Sequence, residues 1–292
     1  MRIFLTGATG FIGSAIVANL LNEKHQVLGL ARSEASADAL RQAGCEFLEG
    51  DLRDPESLRR GAEQADAVIH TAFDHDFSRM AENCEMDRIA IEALGSALAG
   101  SDKRFIVTSG LPPLMGRVST ETDILPAGAH GMPRVSEQAA MALTDSGVRV
   151  SVLRMPQVHD QNRQGFASYL MDHARKQGVS AYVGDGQNRW PAVHRLDAAR
   201  LYGLVLDKCA SGERYHAVGE EGVAVRAVAE AIGRRLDVPV TSLSEADSAG
   251  HFGWLDRIAR MDVPASSALT RQRLQWQPLQ KAGLIDDILG SA

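Results

Sequence analysis

Six short apolar runs, Ile3 to Leu5, Gln26 to Leu30, Glu46 to Leu48, Ala67 to Ile69, Phe105 to Val107 and Val148 to Leu153, recur through the first half of the chain. Runs of this length with little polar alternation fit strands buried on both faces. The spacing between them is helical: Ile12, Ile16, Val17 and Leu20 fall on one face, and Ala198, Leu201, Tyr202 and Val205 do the same later. Strands alternating with such helices predict an α/β fold, a doubly wound parallel sheet covered on both sides. After Pro156 the texture changes, with the polar stretch Asp160 to Gln164 and the cluster Gly184 to Asn188, both read as excursions from the sheet. Val225, Val228, Ile232 and Leu236 mark another helix, and Trp254, Pro264, Trp276 and Pro278 punctuate a tail of short helices and loops. The expected organisation is a main domain over residues 1–160, to which 191–220 return, and a smaller C-terminal lobe from 161–190 and 221–292. No repeat or low-complexity tract interrupts it.

Composition narrows the partners. The 292 residues are 45% apolar, enough for a substantial core, and the net charge of −6 argues against a nucleic-acid surface, which normally shows a basic stripe. Cys45, Cys84 and Cys209 are far apart and form no Cys-x-x-Cys pair, so neither a disulfide framework nor a zinc site is expected. No apolar stretch approaches a membrane span and no secretory leader precedes the first strand, so the expectation is a cytoplasmic protein without membrane contact.

Directly behind Ile3-Phe4-Leu5 comes Thr6-Gly7-Ala8-Thr9-Gly10-Phe11-Ile12-Gly13. Three glycines at this spacing let the backbone turn off a strand, approach a pyrophosphate and start a helix packed closely on the sheet, with the helix N-terminus facing the anion. Dinucleotide binding follows. The second strand ends Leu30-Ala31-Arg32-Ser33, without the acid that usually holds the adenine ribose of NAD(H). Arg32 and Ser33 offer a cation and a hydroxyl to a 2′-phosphate, which favours NADP(H) over NAD(H), although a strand-end arginine can also be merely solvated. Asp51, with Leu52, follows the third strand, where its carboxylate can accept from the adenine amino group or cap the helix before Pro55. His70-Thr71-Ala72 ends the fourth strand beside the expected ribose path.

Taken together these motifs resemble the extended short-chain dehydrogenase/reductase family, which includes sugar-nucleotide epimerases and dehydratases and 3β-hydroxysteroid dehydrogenases. The resemblance spans nearly the whole chain. Thr6 to Gly13 matches the family's glycine motif, Asp51-Leu52 its adenine contact, and Ile106-Val107-Thr108-Ser109 the strand carrying its catalytic serine. Leu153-Arg154-Met155-Pro156 looks like the strand end whose proline lies near the nicotinamide, which implies cofactor contacts from Thr108, Pro156 and Val158. Gly184-Asp185-Gly186 through Val193-His194 and Asp197-Ala198-Ala199 resembles the return to the core domain, and Leu274 to Pro278 the family's ending. The implied fold is Rossmann-type, with a substrate lobe and an arrangement compatible with a homodimer. One departure matters. The family's reduction chemistry uses a tyrosine and a lysine four residues later, yet Met132-Pro133-Arg134-Val135-Ser136-Glu137-Gln138-Ala139-Ala140 holds neither, and no tyrosine elsewhere has a lysine at that spacing.

A surviving reductase must therefore find another proton donor. Ser109 can hydrogen-bond a substrate oxygen but is too weak an acid to act alone. His75, in Phe73-Asp74-His75-Asp76-Phe77, is the leading candidate because an imidazole flanked by carboxylates can titrate near neutrality, the alternative being a solvated loop histidine. Arg134 stands near the missing tyrosine; it can anchor a carboxylate or phosphate or polarise a carbonyl, or it can pair with Glu137 at the helix start. His130, His159 and His194 are expected in loops, chiefly in structural roles, and Trp190 either walls a cleft or packs under a loop. A metal site from His70, Asp74, His75 and Asp76 is not expected, and Ser109 lacks the Gly-x-Ser-x-Gly elbow of acyl transfer. The sequence thus reads as an NADP(H)-dependent oxidoreductase acting on a small or medium carbonyl compound. Its rivals are a non-catalytic NADP(H)-binding redox sensor and, more weakly, a nucleotide-sugar epimerase or dehydratase.

Overall fold

The computed structural model describes residues 1–114, 116–126, 133–208 and 210–290. The chain divides into two compact units: residues 1–110, 124–154 and 199–215 form the first, and 111–123, 155–198 and 216–292 the second.

The first unit is built on β1 (Arg2–Thr6), β2 (Gln26–Ala31), β3 (Glu46–Glu49), β4 (Ala67–His70), β5 (Arg104–Gly110) and β6 (Arg149–Met155). Helices α1 (Phe11–Asn22), α2 (Glu34–Gln42), α3 (Pro55–Glu63), α4 (Met80–Leu98) and α5 (Ser136–Ala142) alternate with them. All six apolar runs became strands. Ile3, Phe4, Leu5, Val68, Ile69, Phe105, Ile106 and Val107 are completely buried, as strands covered on both faces require. The seven-stranded order is β11-β6-β5-β4-β1-β2-β3, β11 being the short strand Arg214–His216. β1 pairs in parallel with β2 and with β4, β2 with β3, and β4 with β5. The order reverses between β1 and β4, and ligands of open α/β sheets bind beyond the strand C-termini at such a reversal.

In the second unit β7 (Gln157–Asp160), β8 (Arg163–Gln164), β10 (Arg189–His194) and β12 (Glu220–Ala224) form a four-stranded sheet ordered β12-β10-β7-β8, and β9 (Ser180–Val183) pairs with β13 (Val240–Leu243). Its helices are α6 (Phe166–Gln177), the start of α7 (Arg195–Lys208), α8 (Val225–Leu236), α9 (Glu245–Phe252), α10 (Asp256–Ala259), α11 (Ala268–Leu274) and α12 (Leu284–Leu289). The division differs from the composition-based boundaries. β7 and β10 hydrogen-bond to each other, so residues 155–160 and 191–198 join the second unit, as do 216–220. The polar stretch after Asp160 is less an excursion than a hairpin, because Asp160 pairs with Arg163 and His159 with Gln164. Trp190 is 1% exposed within a core that includes Leu170, Val228 and Ile232, so its role is packing.

Two histidines of this unit resist protonation. Burial, then the charge of His159, keeps the His194 imidazole below its ordinary value. Burial and then His173 do the same to His251, and the Nε2 atoms of His173 and His251 have no hydrogen-bond partner. Unfolding exposes such rings, so below a pH of about 6.5 the unfolded chain binds protons that the folded chain refuses. Stability should therefore decline as the pH falls through that value and level off only beneath the folded-state pKa values. Urea midpoints at pH 7.5, 6.5 and 5.5 measure this; a midpoint that holds constant across the series contradicts it.

Candidate active site

The glycine turn joins β1 to α1, and two of its glycines are dictated by contact. Gly7 has φ +73°, and a Cβ there would lie 2.8 Å from both the Ala72 nitrogen and Thr71 Oγ1. At Gly13 a Cβ would lie 2.0 Å from the Gly7 carbonyl oxygen, so only glycine lets helix and turn touch. Gly10 caps α1 without a side-chain hydrogen bond, and the first turn contains no acidic residue. The helix therefore presents its backbone N–H groups and partial positive charge without an internal anion to neutralise them, which suits a diphosphate. Thr9 is exposed and Phe11 and Ile12 are half-buried around this cradle.

At the end of β2, Arg32 is exposed and makes no side-chain hydrogen bond or ion pair among the described residues. Ser33 serves the helix that follows it. Its hydroxyl accepts from the Ser36 N–H at 3.3 Å, and Ser36 returns a bond to the Ser33 N–H, closing a capping box on α2. Asp51 Oδ1 accepts from the Arg53 N–H at 2.8 Å, while the cap of α3 is supplied by Asp54. The capping alternative for Asp51 thus falls to its neighbour. Leu52 packs against the core of the unit.

His70 turns its ring into the interior. Its ring is 1% exposed and both nitrogens are engaged internally, Nδ1 with Thr6 Oγ1 at 2.8 Å and Nε2 with Asp87 Oδ1 at 3.1 Å. The other Asp87 oxygen accepts from Ser136 Oγ at 2.5 Å, and Ser136 Oγ accepts from Arg134 Nε at 2.8 Å. Asp87 accepts from both His70 Nε2 and Ser136 Oγ, and Thr6 Oγ1 hydrogen-bonds His70 Nδ1, so the buried chain runs unbroken from Thr6 to Arg134. Burial pushes the Asp87 carboxyl up, but the hydrogen bonds from His70 and Ser136 and the charges of His70 and Arg134 outweigh it and hold it below the ordinary carboxylate range. Sequence reasoning missed Asp87 and Ser136. A signal existed: Asn83, Asp87, Ala90, Ile91, Leu94 and Leu98 share the buried stripe of α4, and a carboxylate on such a stripe is seldom left unpartnered.

The remaining polar groups gather at the end of β5. Thr108 Oγ1 is spent on the His70 carbonyl and Tyr202 OH, each at 2.7 Å, so its hydroxyl serves the fold. Tyr202 is wholly buried, which pushes its phenol well up and removes it as a proton source. Ser109 is 8% exposed, and its hydroxyl has no hydrogen-bond partner among the described residues. Arg134 Nη2 donates to the Thr108 carbonyl at 3.3 Å, which puts the guanidinium against the peptide preceding Ser109, and its Cζ lies 4.2 Å from the centre of the Phe73 ring. The expected pair with Glu137 does not form. Glu137 instead binds Arg154 and Arg214.

His75 is exposed, edge-on to Phe73 and Phe77, with Nδ1 3.1 Å from the Phe73 carbonyl oxygen. The carboxylates on either side of it are engaged elsewhere: Asp76 binds Ser78 and Arg79, and Asp74 faces Arg79 and Arg53. Pro156 and Val158 lie in the second unit, Val158 7% exposed on β7. His159 and His194 stand on strands, not in loops, and His159 is clamped to Asp287 at 2.6 Å. His130 falls outside the described residues. Among the described residues no group of three His, Cys, Asp or Glu side chains is arranged to hold a metal ion, and no helix is long and apolar enough to cross a membrane.

Sheet order, glycine cradle and strand-end residues define a dinucleotide-binding α/β protein of the extended short-chain dehydrogenase/reductase class. A model of the NAD dependent epimerase/dehydratase family matches residues 3–219, and the chain belongs to that family. An uncharacterized protein of Schizosaccharomyces pombe is 45% identical over 288 residues, covering 98% of each chain. A 2-alkyl-3-oxoalkanoate reductase of Stenotrophomonas maltophilia is 26% identical, covering 73% of this chain and 67% of its own. A dTDP-glucose 4,6-dehydratase of Streptomyces venezuelae, solved with NAD and TYD bound, shares the fold with a TM-score of 0.76 at 20% identity, covering 100% of this chain and 95% of its own.

Proposed function

We propose that the protein is an NADP(H)-dependent reductase of a small or medium carbonyl compound, working in the cytoplasm. The observation that carries this reading is the Ser109 hydroxyl, without a partner among the described residues and one residue on from the Thr108 carbonyl that Arg134 holds, at the end of the strand next to the one that closes on the glycine cradle. Gly7, Gly10 and Gly13 would receive the diphosphate, and Arg32, exposed and without an acid, would receive the 2′-phosphate. Bound NADPH would supply a hydride to the carbonyl carbon. Ser109 would donate a hydrogen bond to the carbonyl oxygen, and the nearby positive charge of Arg134 favours the negative charge that grows there. A permanently charged guanidinium cannot give up its proton, so His75 is assigned as the proton donor. The likeness to a reductase of an oxoalkanoate supports reduction over epimerisation.

The test is NADPH consumption at 340 nm with a panel of aldehydes and ketones, beside affinities for NADPH and NADH. We expect turnover with NADPH. Arg32→Ala should weaken NADPH by about 10- to 100-fold, the value of one or two charge-assisted hydrogen bonds, and change NADH by less than about threefold. His75→Asn should lower kcat by about a hundredfold or more. Tighter binding of NADH than of NADPH would overturn the cofactor assignment. Tight NADPH binding with no oxidation by any carbonyl would leave a cofactor-binding sensor as the better description.

A further inference from the structure

Arg134 is a half-buried cation with no carboxylate of its own. It is pinned on three sides, by Ser136 Oγ at 2.8 Å, by the Thr108 carbonyl at 3.3 Å and by the Phe73 ring beneath it at 4.2 Å. No ion pair to it forms among the described residues, and residues 127–132, just before it, include no Asp or Glu. Glu137, three positions on, is consumed by Arg154 and Arg214, and Asp87 reaches Arg134 only through the Ser136 hydroxyl. Arg41, Arg79 and Arg88 of the same unit behave differently, each sitting on a neighbouring acid.

A guanidinium carries five N–H donors, and two of these are used, one on Nε and one on Nη2. Three remain, including both on Nη1, which has no partner among the described residues. Fixing this long side chain costs rotamer freedom, and withdrawing its charge from water costs more unless an anion joins it. The protein supplies the rigid mount and leaves the anion to the ligand. The charge available favours a monoanion: among the described residues one cation, Arg134, is mounted there with Asp87 one hydroxyl behind it, whereas a phosphate ester carries close to two negative charges at neutral pH.

We infer that the substrate is an oxo acid, a carbonyl compound bearing a carboxylate, with Arg134 gripping the carboxylate while Ser109 takes the carbonyl oxygen. This inference rests on the reductase reading above and names the substrate class for that site. Asp87 and Ser136 are then positioning residues: they touch no substrate and hold the guanidinium in place.

Two measurements separate this inference from the reading beneath it. In the first, pyruvate, acetoacetate and levulinate are compared with their methyl esters as oxidants of NADPH. At least one acid should exceed its ester in kcat/KM by about 30-fold or more, with the difference in KM, and Arg134→Gln should shrink that ratio to about threefold or less while Arg134→Lys keeps part of it. Equal use of acid and ester, or a preference that survives Arg134→Gln, overturns the inference and leaves carbonyl reduction standing. In the second, the protein loaded with NADP+ is titrated calorimetrically with 3-hydroxybutyrate, which needs no turnover. Binding to the parent and to Arg134→Lys but not to Arg134→Gln supports the carboxylate site, and binding to none or to all refutes it. If no carbonyl oxidises NADPH, the reductase reading fails and the titration alone decides the role of Arg134. Should Arg134→Gln fail to fold, Arg134→Met, which removes the charge and keeps the length of the side chain, gives the same comparison.

Discussion

Gly13→Ala should weaken NADPH binding by about a hundredfold or more while leaving the protein folded. The added methyl would sit 2.0 Å from the Gly7 carbonyl oxygen, so the turn must move away from α1. Neither side has slack. Gly7 is held with φ +73° against Thr71 and Ala72, and Gly13 is buried in the first turn of α1. Relief of such overpacking costs about 1–3 kcal/mol in stability, tolerable for a chain of this size, but even a small displacement withdraws the N–H groups from the diphosphate. A hundredfold loss corresponds to about 2.7 kcal/mol of binding free energy. Calorimetric titration reads the affinity, and thermal unfolding without cofactor reads the stability. Undiminished affinity in Gly13→Ala would mean that the diphosphate lies elsewhere.

The second large effect concerns Glu137. Its carboxylate receives a two-point clasp from Arg154, Nε at 2.7 Å and Nη2 at 2.6 Å, and a third bond from Arg214 at 2.6 Å. Arg154 is 1% exposed. Burial pushes the Glu137 carboxyl up, yet the bonds and charges of the two arginines bring it below its ordinary value. Glu137→Ala would take from the buried Arg154 guanidinium its two-point carboxylate partner, and losing one member of a buried pair costs about 3–5 kcal/mol. For a protein of this size that is a fall in Tm of about 5–8 °C. Glu137→Gln, which keeps the shape and accepts one bond, should lose less. The contribution also depends on acid: it is complete above the ordinary glutamate pKa of about 4.3 and disappears as the pH falls through the lower folded value. Differential scanning calorimetry of the two variants at pH 7 checks the first claim. A Tm within about 1 °C of the parent for Glu137→Ala, less than about 1 kcal/mol, would show that Arg154 finds water or another acid.

Glu137 also shows where sequence reasoning stops. Three positions after Arg134 at a helix start, it looked like that arginine's partner, because local spacing is all a sequence displays. Its real partners stand 17 and 77 residues away. The same limit hid the chain through Asp87: Ser136 and Asp87 are 49 residues apart, and nothing local to either announces the other. Six of the seven strands of the main sheet were legible because their apolar cores form short runs, while β11, Arg214–His216, has no such run, and the glycine cradle was legible because steric demands are written in residue type. The four-stranded sheet was not. β8 is two residues long and polar, β12 contains Glu220 and Glu221, and β7 ends in His159 and Asp160, so their hydropathy resembles that of loops. His75 was singled out for its acidic neighbours, and those neighbours also hold arginines, Asp76 with Arg79 and Asp74 with Arg79 and Arg53, that sequence spacing did not bring to notice.

The tie between the ends of β1 and β4 has a consequence for how a ligand is received. The Thr71 N–H and hydroxyl both reach the Thr6 carbonyl, at 3.3 and 2.8 Å, while the Thr6 side chain joins His70 and takes the Ala72 N–H. Two loop origins are thereby laced into one ledge beneath the glycine turn. The amide hydrogens of Thr71 and Ala72 should exchange with solvent deuterium only when the central sheet itself opens, and at nearly the same rate with or without nucleotide. The ledge is rigid before anything lands on it, so little ordering entropy is charged to the binding step.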